Sequence, residues 1–456
     1  MKKIFYILLL ALFPCLSMAQ DYEKPDFWKT ATVQDIQPLL TAENVNKKLE
    51  NDATYLMMAS NKSANPDVLK AMIKAGYDVN AETKAGITPI MVVNIPSFVD
   101  ILVKAGAKVN KTASMGFNAL AMACKQNDDP EVINELVKAG ADIHFKVQGE
   151  YNLLMVAAQW NPTLDVIQTL IKSGIDVNER TKSGDTALLL AAMSNPNPKV
   201  VETLIKAGAD ANYHDKDFIT PLLIAAARNP NPDMIDVLVK NGADINVIGE
   251  PKKKELMFMT RTLSAALAYN SNKEVAKRIL ANGFDLNNRA PENISSAFTE
   301  ICPLVDDSQL INDMIKKYGA DIKSKTKDKG SSVLMVCSMF SQNPDVIQAL
   351  IDNGAVVNER TPESWTALMS AARNPNADII KVLLKNGADT HAMSKSHNTT
   401  ALMYACGFNS NRDVVIALID GGSDIRAKDK DGKTAYDRCH QNLQFMYDQD
   451  LLNRLK

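Results

Sequence analysis

The sequence predicts an all-α repeat solenoid, in which short helix-turn-helix units stack against one another. Three observations predict it: glycines recur at a nearly constant interval, a Thr-x-Leu motif opens each unit, and an Asx-Pro loop divides it. Counted from Ala42, successive spacings are 34, 30, 34, 34, 34, 34, 41, 36, 35, 33 and 35 residues. The glycines are Gly76, Gly106, Gly140, Gly174, Gly208, Gly242, Gly283, Gly319, Gly354, Gly387 and Gly422. Units of this period bury their apolar faces only against neighbours, so we expect no single unit to fold alone.

The opening motif of each unit predicts the start of a first short helix. It reads Thr-x-Leu-x-x-Ala-Ala, as from Thr186 to Ala192 and from Thr220 to Ala226. Threonine is a favourable N-cap residue, and proline is tolerated at the first helical position. The paired alanines are small enough to let adjacent units approach closely.

The next loop predicts a second helix. It is spelled Asn-Pro-Asn-Pro at 195–198 and 229–232, and the helix carries apolar residues on one face, as from Val166 to Lys172. A glycine ends this helix because the chain must turn through a left-handed conformation. We predict that the last Asx residue of the loop caps the helix in nine units. These residues are Asn65, Asp129, Asn161, Asn197, Asn231, Asn272, Asn343, Asn376 and Asn411.

With these motifs in register over nearly everything after residue 26, the chain resembles the ankyrin repeat. The shared features are Thr-Pro-Leu-x-x-Ala-Ala, a two-helix hairpin, Gly-Ala-Asp-x-Asn and a polar β-turn finger. The resemblance implies stacked units whose fingers and first helices form a concave surface. It also implies a protein-binding scaffold rather than a catalyst.

The sequence departs from the family pattern in three ways. Methionine or leucine replaces the usual histidine of the opening motif, as at Met57 and Leu189. An extra residue in the loop between the helices makes 34 the commonest period. The register is disturbed between Val247 and Lys323, where one unit is 41 residues long and the next has lost most of its opening motif.

The first residues predict a secretory signal peptide. Lys2 and Lys3 precede an apolar stretch, and small residues flank a cleavage position after Ala19. We therefore expect a periplasmic or secreted protein without a transmembrane segment. A lipid anchor at Cys15 is disfavoured, because Pro14 stands where a small residue is expected.

The repeat pattern predicts six segments. They are the signal peptide (1–19), an N-terminal cap (20–46), regular repeats (47–246), irregular repeats with an insertion (247–323), further regular repeats (324–426) and a C-terminal cap (427–456). In the N-terminal cap, a second helix is predicted from Val33 to Leu40. The C-terminal cap opens a last unit at Asp431 and ends in a short charged tail from Leu451.

Composition argues against several classes of function. With 51 basic and 53 acidic residues, nothing favours nucleic acid as a partner. The five histidines match no zinc spacing, and no nucleophile elbow or phosphate-binding glycine loop is found. We expect a monomer that binds an unknown protein partner, with no catalytic residue, metal or cofactor.

Five cysteines remain after cleavage of the leader: Cys124, Cys302, Cys337, Cys406 and Cys439. Equivalent positions in neighbouring units should be separated by the layer spacing of about 8–10 Å, beyond the reach of a disulfide. We therefore predict no disulfide between Cys302 and Cys337. Cys406 and Cys439 are offset by one position, and whether they pair stays open.

Two candidate binding sites follow from the residues. The position before each Thr-x-Leu motif is expected to face the concave side, where an apolar stripe would anchor a partner. The stripe consists of Ile87, Phe117, Tyr151, Ile219 and Trp365. Alternatively, each of these side chains packs against its own finger. The second candidate is the inserted loop, with Lys252, Lys253, Lys254 and Phe258.

The sequence therefore predicts a non-enzymatic protein-interaction scaffold exported to the periplasm. An alternative is a secreted effector that binds a target protein of another cell. A second alternative is a small-ligand receptor that uses the irregular region 247–323.

Overall fold

The computed structural model describes residues 21–45, 47–248, 261–288 and 296–456. The predicted leader with Cys15 lies outside these residues, as do Lys252, Lys253, Lys254 and Phe258. The chain forms two compact units, each a stack of helical hairpins. Unit 1 holds residues up to Lys216 together with Lys240–Ala243, and unit 2 holds Asp217–Val239 and Asp244–Lys456.

Unit 1 consists of short helices joined by loops and turns. Its α-helices are α1 (Pro25–Thr30), α2 (Ala42–Val45), α3 (Tyr55–Lys62), α4 (Pro66–Ala75), α5 (Pro96–Lys104), α6 (Ala119–Gln126), α7 (Pro130–Lys138), α8 (Leu153–Trp160), α9 (Leu164–Lys172), α10 (Ala187–Ser194) and α11 (Pro198–Lys206). Short 3-10 helices span Asp21–Glu23, Gln37–Leu39, Glu50–Asp52, Pro89–Val92 and Ser114–Gly116.

Unit 2 continues the same pattern of paired helices. Its α-helices are α12 (Pro221–Arg228), α13 (Asp233–Lys240), α14 (Thr262–Tyr269), α15 (Glu274–Ala281), α16 (Ala297–Ile301), α17 (Ser308–Lys316), α18 (Val333–Phe340), α19 (Pro344–Asp352), α20 (Ala367–Ala371), α21 (Ala377–Lys385), α22 (Ala401–Phe408), α23 (Arg412–Asp420), α24 (Ala435–Gln441) and α25 (Gln449–Arg454). Cys302–Leu304 forms a 3-10 turn after α16.

The predicted caps begin and end these helices. Thr186 Oγ1 accepts a hydrogen bond from Leu189 N (3.2 Å) at the start of α10, and Asn197 Oδ1 accepts one from Lys199 N (3.1 Å) at the start of α11. Gly208 follows α11 with φ of 100°, a left-handed conformation that favours glycine. Over the described ranges, β-structure is limited to three isolated bridges. The prediction of an all-α repeat solenoid is confirmed.

Asparagines at the end of the first helices, most of them buried, tie neighbouring repeats together. Asn195 Nδ2 donates to the carbonyl oxygens of Ala158 (2.8 Å) and Asn161 (2.9 Å) in the preceding repeat, and its Oδ1 accepts from Asn197 N (2.9 Å). We call this set the asparagine ladder. Its members in unit 1 are Asn127, Asn161 and Asn195, and those in unit 2 are Asn270, Asn374, Asn409 and Asn442.

The ladder corrects one predicted cap. Asn161 does not cap the second helix of its repeat, since α9 begins after Thr163, whose side chain makes no capping bond. This repeat has Thr163 where the others have a second Asx residue. Asn161 is therefore the ladder residue of its loop, which is the role of Asn195 in the next repeat.

The two ends also differ from expectation. The helix predicted from Val33 to Leu40 is wrong, because only Gln37–Leu39 forms a 3-10 turn there. Pro38 would lack the amide hydrogen that an α-helix over these residues needs. At the other end, the predicted tail forms α25, whose Leu451 and Leu452 are buried.

The cysteines correct the spacing argument. Cys302 and Cys337 are free thiols in the structure, in agreement with the prediction, but the layer spacing does not keep their side chains apart, since their Sγ atoms lie 2.8 Å from each other. Cys302 is the sixth residue after the cap residue of its first helix, and Cys337 is the fifth after the cap of the next. The two positions are therefore not equivalent, and they face each other across the repeat boundary.

Candidate partner-binding face

The structure places the predicted stripe residues of unit 1 in unlike surroundings. Ile87 and Tyr151 are half-buried, whereas only 7% of the Phe117 surface is exposed to solvent. The Lys125 ammonium lies 5.7 Å from the Phe117 ring centroid and 5.4 Å from that of Trp160. Burial lowers the pKa of Lys125. Phe117 is therefore a buried residue beside Lys125 and does not offer an exposed anchor.

Tyr151 belongs to a polar network between fingers. Its hydroxyl donates to Asp185 Oδ2 (3.1 Å), the carboxylate at the equivalent position of the next repeat. Burial, with Asp185 adding to it, raises the pKa of Tyr151 to about 12. Beside it, Glu179 accepts from Asn152 Nδ2 (2.6 Å) and pairs with Lys146 (2.5 Å). The fingers of unit 1 are thus joined by hydrogen bonds and ion pairs.

Replacing Tyr151 with phenylalanine should lower the free energy of unfolding by about 1 kcal/mol, because one hydrogen bond is lost. The pKa of Tyr151 is raised in the folded state, so its contribution is present at low pH. That contribution should be lost between about pH 10, where the tyrosine of the unfolded chain ionises, and about pH 12, where Tyr151 of the folded protein ionises. Denaturant unfolding of both proteins between neutral and alkaline pH checks this. An equal loss of stability at every pH would contradict it.

In unit 2, Ile219 is 5% exposed and is a core residue rather than a surface anchor. Trp365 is half-buried, and its Nε1 donates to Ser370 Oγ (2.8 Å). The Trp365 ring meets the Tyr404 ring edge-on, with centroids 4.6 Å apart. Of the five stripe residues, Trp365 is the one that joins a larger aromatic surface.

That surface is an aromatic ridge, which we define as Trp365, Tyr404 and Phe408. The Tyr404 and Phe408 centroids are 6.1 Å apart, and Phe408 is 67% exposed. Tyr404 and Phe408 are four residues apart on α22 and therefore share one helix face. Phe340, 60% exposed, occupies the same position on α18 as Phe408 does on α22. Sequence reasoning missed Tyr404 and Phe408, although their i, i+4 spacing was a visible signal.

The described part of the irregular region contains a buried charge. Arg261, 1% exposed, stands where most repeats have a capping Thr, Ser or Asn, and its Nε donates to Glu300 Oε2 of the next repeat (3.0 Å). Its Nη1 and Nη2 atoms are buried and find no hydrogen-bond partner within the described ranges. Thr262 anchors the start of α14 by donating to the Ile245 carbonyl (2.8 Å). The four candidate residues of the inserted loop lie outside the described ranges.

Other site chemistry is sparse. Within the residues that the structure describes, no three His, Cys, Asp or Glu side chains come together in a way that could hold a metal ion. In the same ranges, no helix combines the length and apolar character needed to cross a membrane. A shallow depression between α15 and α17 is lined mainly by charged side chains, among them Lys277, Arg278 and Lys317.

Stacked hairpins with asparagine-tied loops and a ridge of surface aromatics define a repeat scaffold. Models of the ankyrin repeat family match residues 56–147, 154–248, 301–394 and 391–439, which together exceed half of the chain. The chain belongs to the ankyrin repeat family. Ankyrin repeats mediate protein interactions, and the family is typically non-enzymatic.

Curated relatives share short stretches of the chain. An ankyrin repeat protein of Acanthamoeba polyphaga mimivirus is 31% identical over 107 residues, which cover 23% of this chain and 65% of the relative. Alpha-latrocrustotoxin of Latrodectus tredecimguttatus is 33% identical over 84 residues, or 18% of this chain and 6% of the toxin. Ankyrin repeat and SOCS box protein 6 of Pongo abelii is 28% identical over 137 residues, which cover 28% of this chain and 32% of the relative. The chain thus spans less than two thirds of each relative.

Proposed function

We propose that this protein is an exported, non-enzymatic scaffold that binds a partner protein on the aromatic ridge of unit 2. The observation that carries the proposal is the exposure of Phe408 at the end of a continuous row of three rings. Exposed large apolar side chains that touch one another are favoured as interface anchors, especially Trp and Tyr. The chemistry of the ridge suits a partner with an aliphatic or aromatic surface patch.

The ridge also has the rigidity that an anchor needs. Trp365 is fixed by the hydrogen bond from its indole to Ser370, and Tyr404 is held between the other two rings. Ordering these side chains on binding therefore costs little conformational entropy. Phe340 is a further exposed ring at the equivalent position of α18, two repeats before α22.

Replacing Phe408 with aspartate should weaken capture of the partner by at least about 30-fold, since a central aromatic anchor contributes about 2 kcal/mol. Folding should be unaffected, because Phe408 is largely exposed. The matched control is Val356→Asp, which introduces the same charge in the same unit at a side chain 62% exposed. Crosslinked pull-down of the mature protein from its own cell envelope measures both. Equal capture by the two variants would refute the ridge as the binding surface.

The leader Met1 to Ala19 supports export, by its two lysines, its apolar stretch and its small residues before Gln20. We expect the mature chain to begin at Gln20 and to occur in the periplasmic fraction. Recovery from the culture supernatant would instead favour the secreted effector. An N-terminus at Met1 in a cytoplasmic fraction would refute export altogether.

A further inference from the structure

Two pairs of cysteines occupy the same register in unit 2. In each pair, one cysteine is the sixth residue after the cap of its first helix, and the other is the fifth after the cap of the next. The pairs are Cys302 with Cys337, and Cys406 with Cys439. All four side chains are fully buried.

The thiols of each pair lie near each other. Cys337 Sγ lies 2.8 Å from Cys302 Sγ. In the second pair, Cys439 is close enough to Cys406 to contribute to the raised pKa of the Cys406 thiol. A covalent S–S bond is about 2.05 Å long, so a shift of less than 1 Å would join the first pair. Most other repeats have alanine at one or both of these positions, where first helices pack closely.

We propose that Cys302–Cys337 and Cys406–Cys439 are disulfide-forming pairs that covalently link neighbouring repeats of the mature protein. In each pair, two thiols lose two protons and two electrons and form one S–S bond. The electrons reduce a disulfide donor, either a thiol–disulfide oxidoreductase or glutathione disulfide, to its dithiol or to two thiols. Formation in the cell rests on the proposed export, because oxidising compartments maintain disulfides.

The burial of these sulfurs sets when the bonds form. Burial, followed by the neighbouring thiol, raises the pKa of both Cys337 and Cys406. Only a thiolate attacks a disulfide, so the folded protein should react slowly with an oxidant. The bonds should therefore form during folding, before the repeats close. Once formed, they should resist reductants until the repeats open.

The chain provides an internal control. Cys124 is also the sixth residue after the cap of its first helix, but the fifth residue of the next first helix is Ala157. Cys124 should therefore remain a free thiol. Conversely, the single substitution Ala157→Cys should create a third pair, Cys124 with residue 157, in the same register.

The test is refolding of the mature chain in a glutathione redox buffer, followed by alkylation in denaturant and peptide mass spectrometry. We expect alkylation of Cys124 alone, peptides joined by the two proposed bridges, and a melting temperature at least about 5 °C above that of the reduced protein. The Ala157→Cys variant should show a third bridge, to Cys124.

Five free thiols after oxidative refolding, or bridges that join other cysteines, would overturn the pairing. If the protein is not exported, the experiment gives a different result. In that case the bridges would form on refolding but be absent from protein alkylated directly in the cells. That outcome would refute disulfides in the cell and leave the register intact.

Discussion

Replacing Glu300 with alanine should lower the free energy of unfolding by about 3 kcal/mol, because a charge left alone in the interior is costly. Arg261 is almost fully buried, and Glu300 supplies its counter-charge at 3.0 Å. Among the residues that the structure describes, Arg261 Nη1 and Nη2 have no hydrogen-bond partner, so within these residues Glu300 is the group that offsets the desolvation of the guanidinium. Denaturant unfolding followed by circular dichroism measures the effect.

Removal of the arginine should have a much smaller effect. Arg261→Met takes the charge out of the interior, and Glu300, about one-third exposed, can then be hydrated. We expect a change within about 1 kcal/mol of the wild type, since an apolar side chain of similar volume often replaces a buried ion at little cost. The double variant should recover most of the stability lost in Glu300→Ala. Similar losses in both single variants would contradict this account.

Replacing Asn195 with alanine should cost about 3 kcal/mol, since two buried hydrogen bonds and one half-buried hydrogen bond are lost and the two carbonyl partners stay buried. Its amide donates to two carbonyls of the preceding repeat and accepts from Asn197 N. The loss should therefore appear as weakened coupling between the repeats of α8 and α10, visible as faster amide exchange in both.

Asn197, two residues further along, is the matched control. It is an exposed N-cap that accepts from Lys199 N and donates to the Pro162 carbonyl. Asn197→Ala should cost about 1 kcal/mol, as is usual for a lost cap. If Asn195→Ala costs no more than Asn197→Ala, the asparagine ladder does not have the role given to it here.

The fold could be predicted because its signals are local. A capping threonine, an Asx-Pro loop and a terminal glycine each act within a few residues, so their recurrence defines the hairpins. The asparagine ladder was missed because Asn195 looks like a turn residue until the preceding repeat supplies its carbonyl partners. The approach of Cys302 to Cys337 was missed for a related reason. A shift of one position along a helix decides which thiols meet, and the two cysteines differ by that one position.

The binding face could be predicted only in part. The position before the opening motif was expected either to face the concave side or to pack against its own finger, and its exposure differs from one repeat to the next. Lys125 lies over the buried Phe117 ring, whereas Trp365 meets Tyr404, whose ring neighbours the exposed Phe408. The contact between Trp365 and Tyr404 joins residues of different repeats, and no spacing within one repeat reveals it.

The central claim is that a partner protein docks on the aromatic ridge, and site-specific photocrosslinking tests it most directly. A photoreactive phenylalanine analogue would be placed at Phe408 or at Val356 in the protein expressed in its own cells. The account predicts one discrete crosslinked protein from position 408 and none from position 356. No crosslink from position 408 in a folded, correctly located protein, or the same crosslink from both positions, would contradict it.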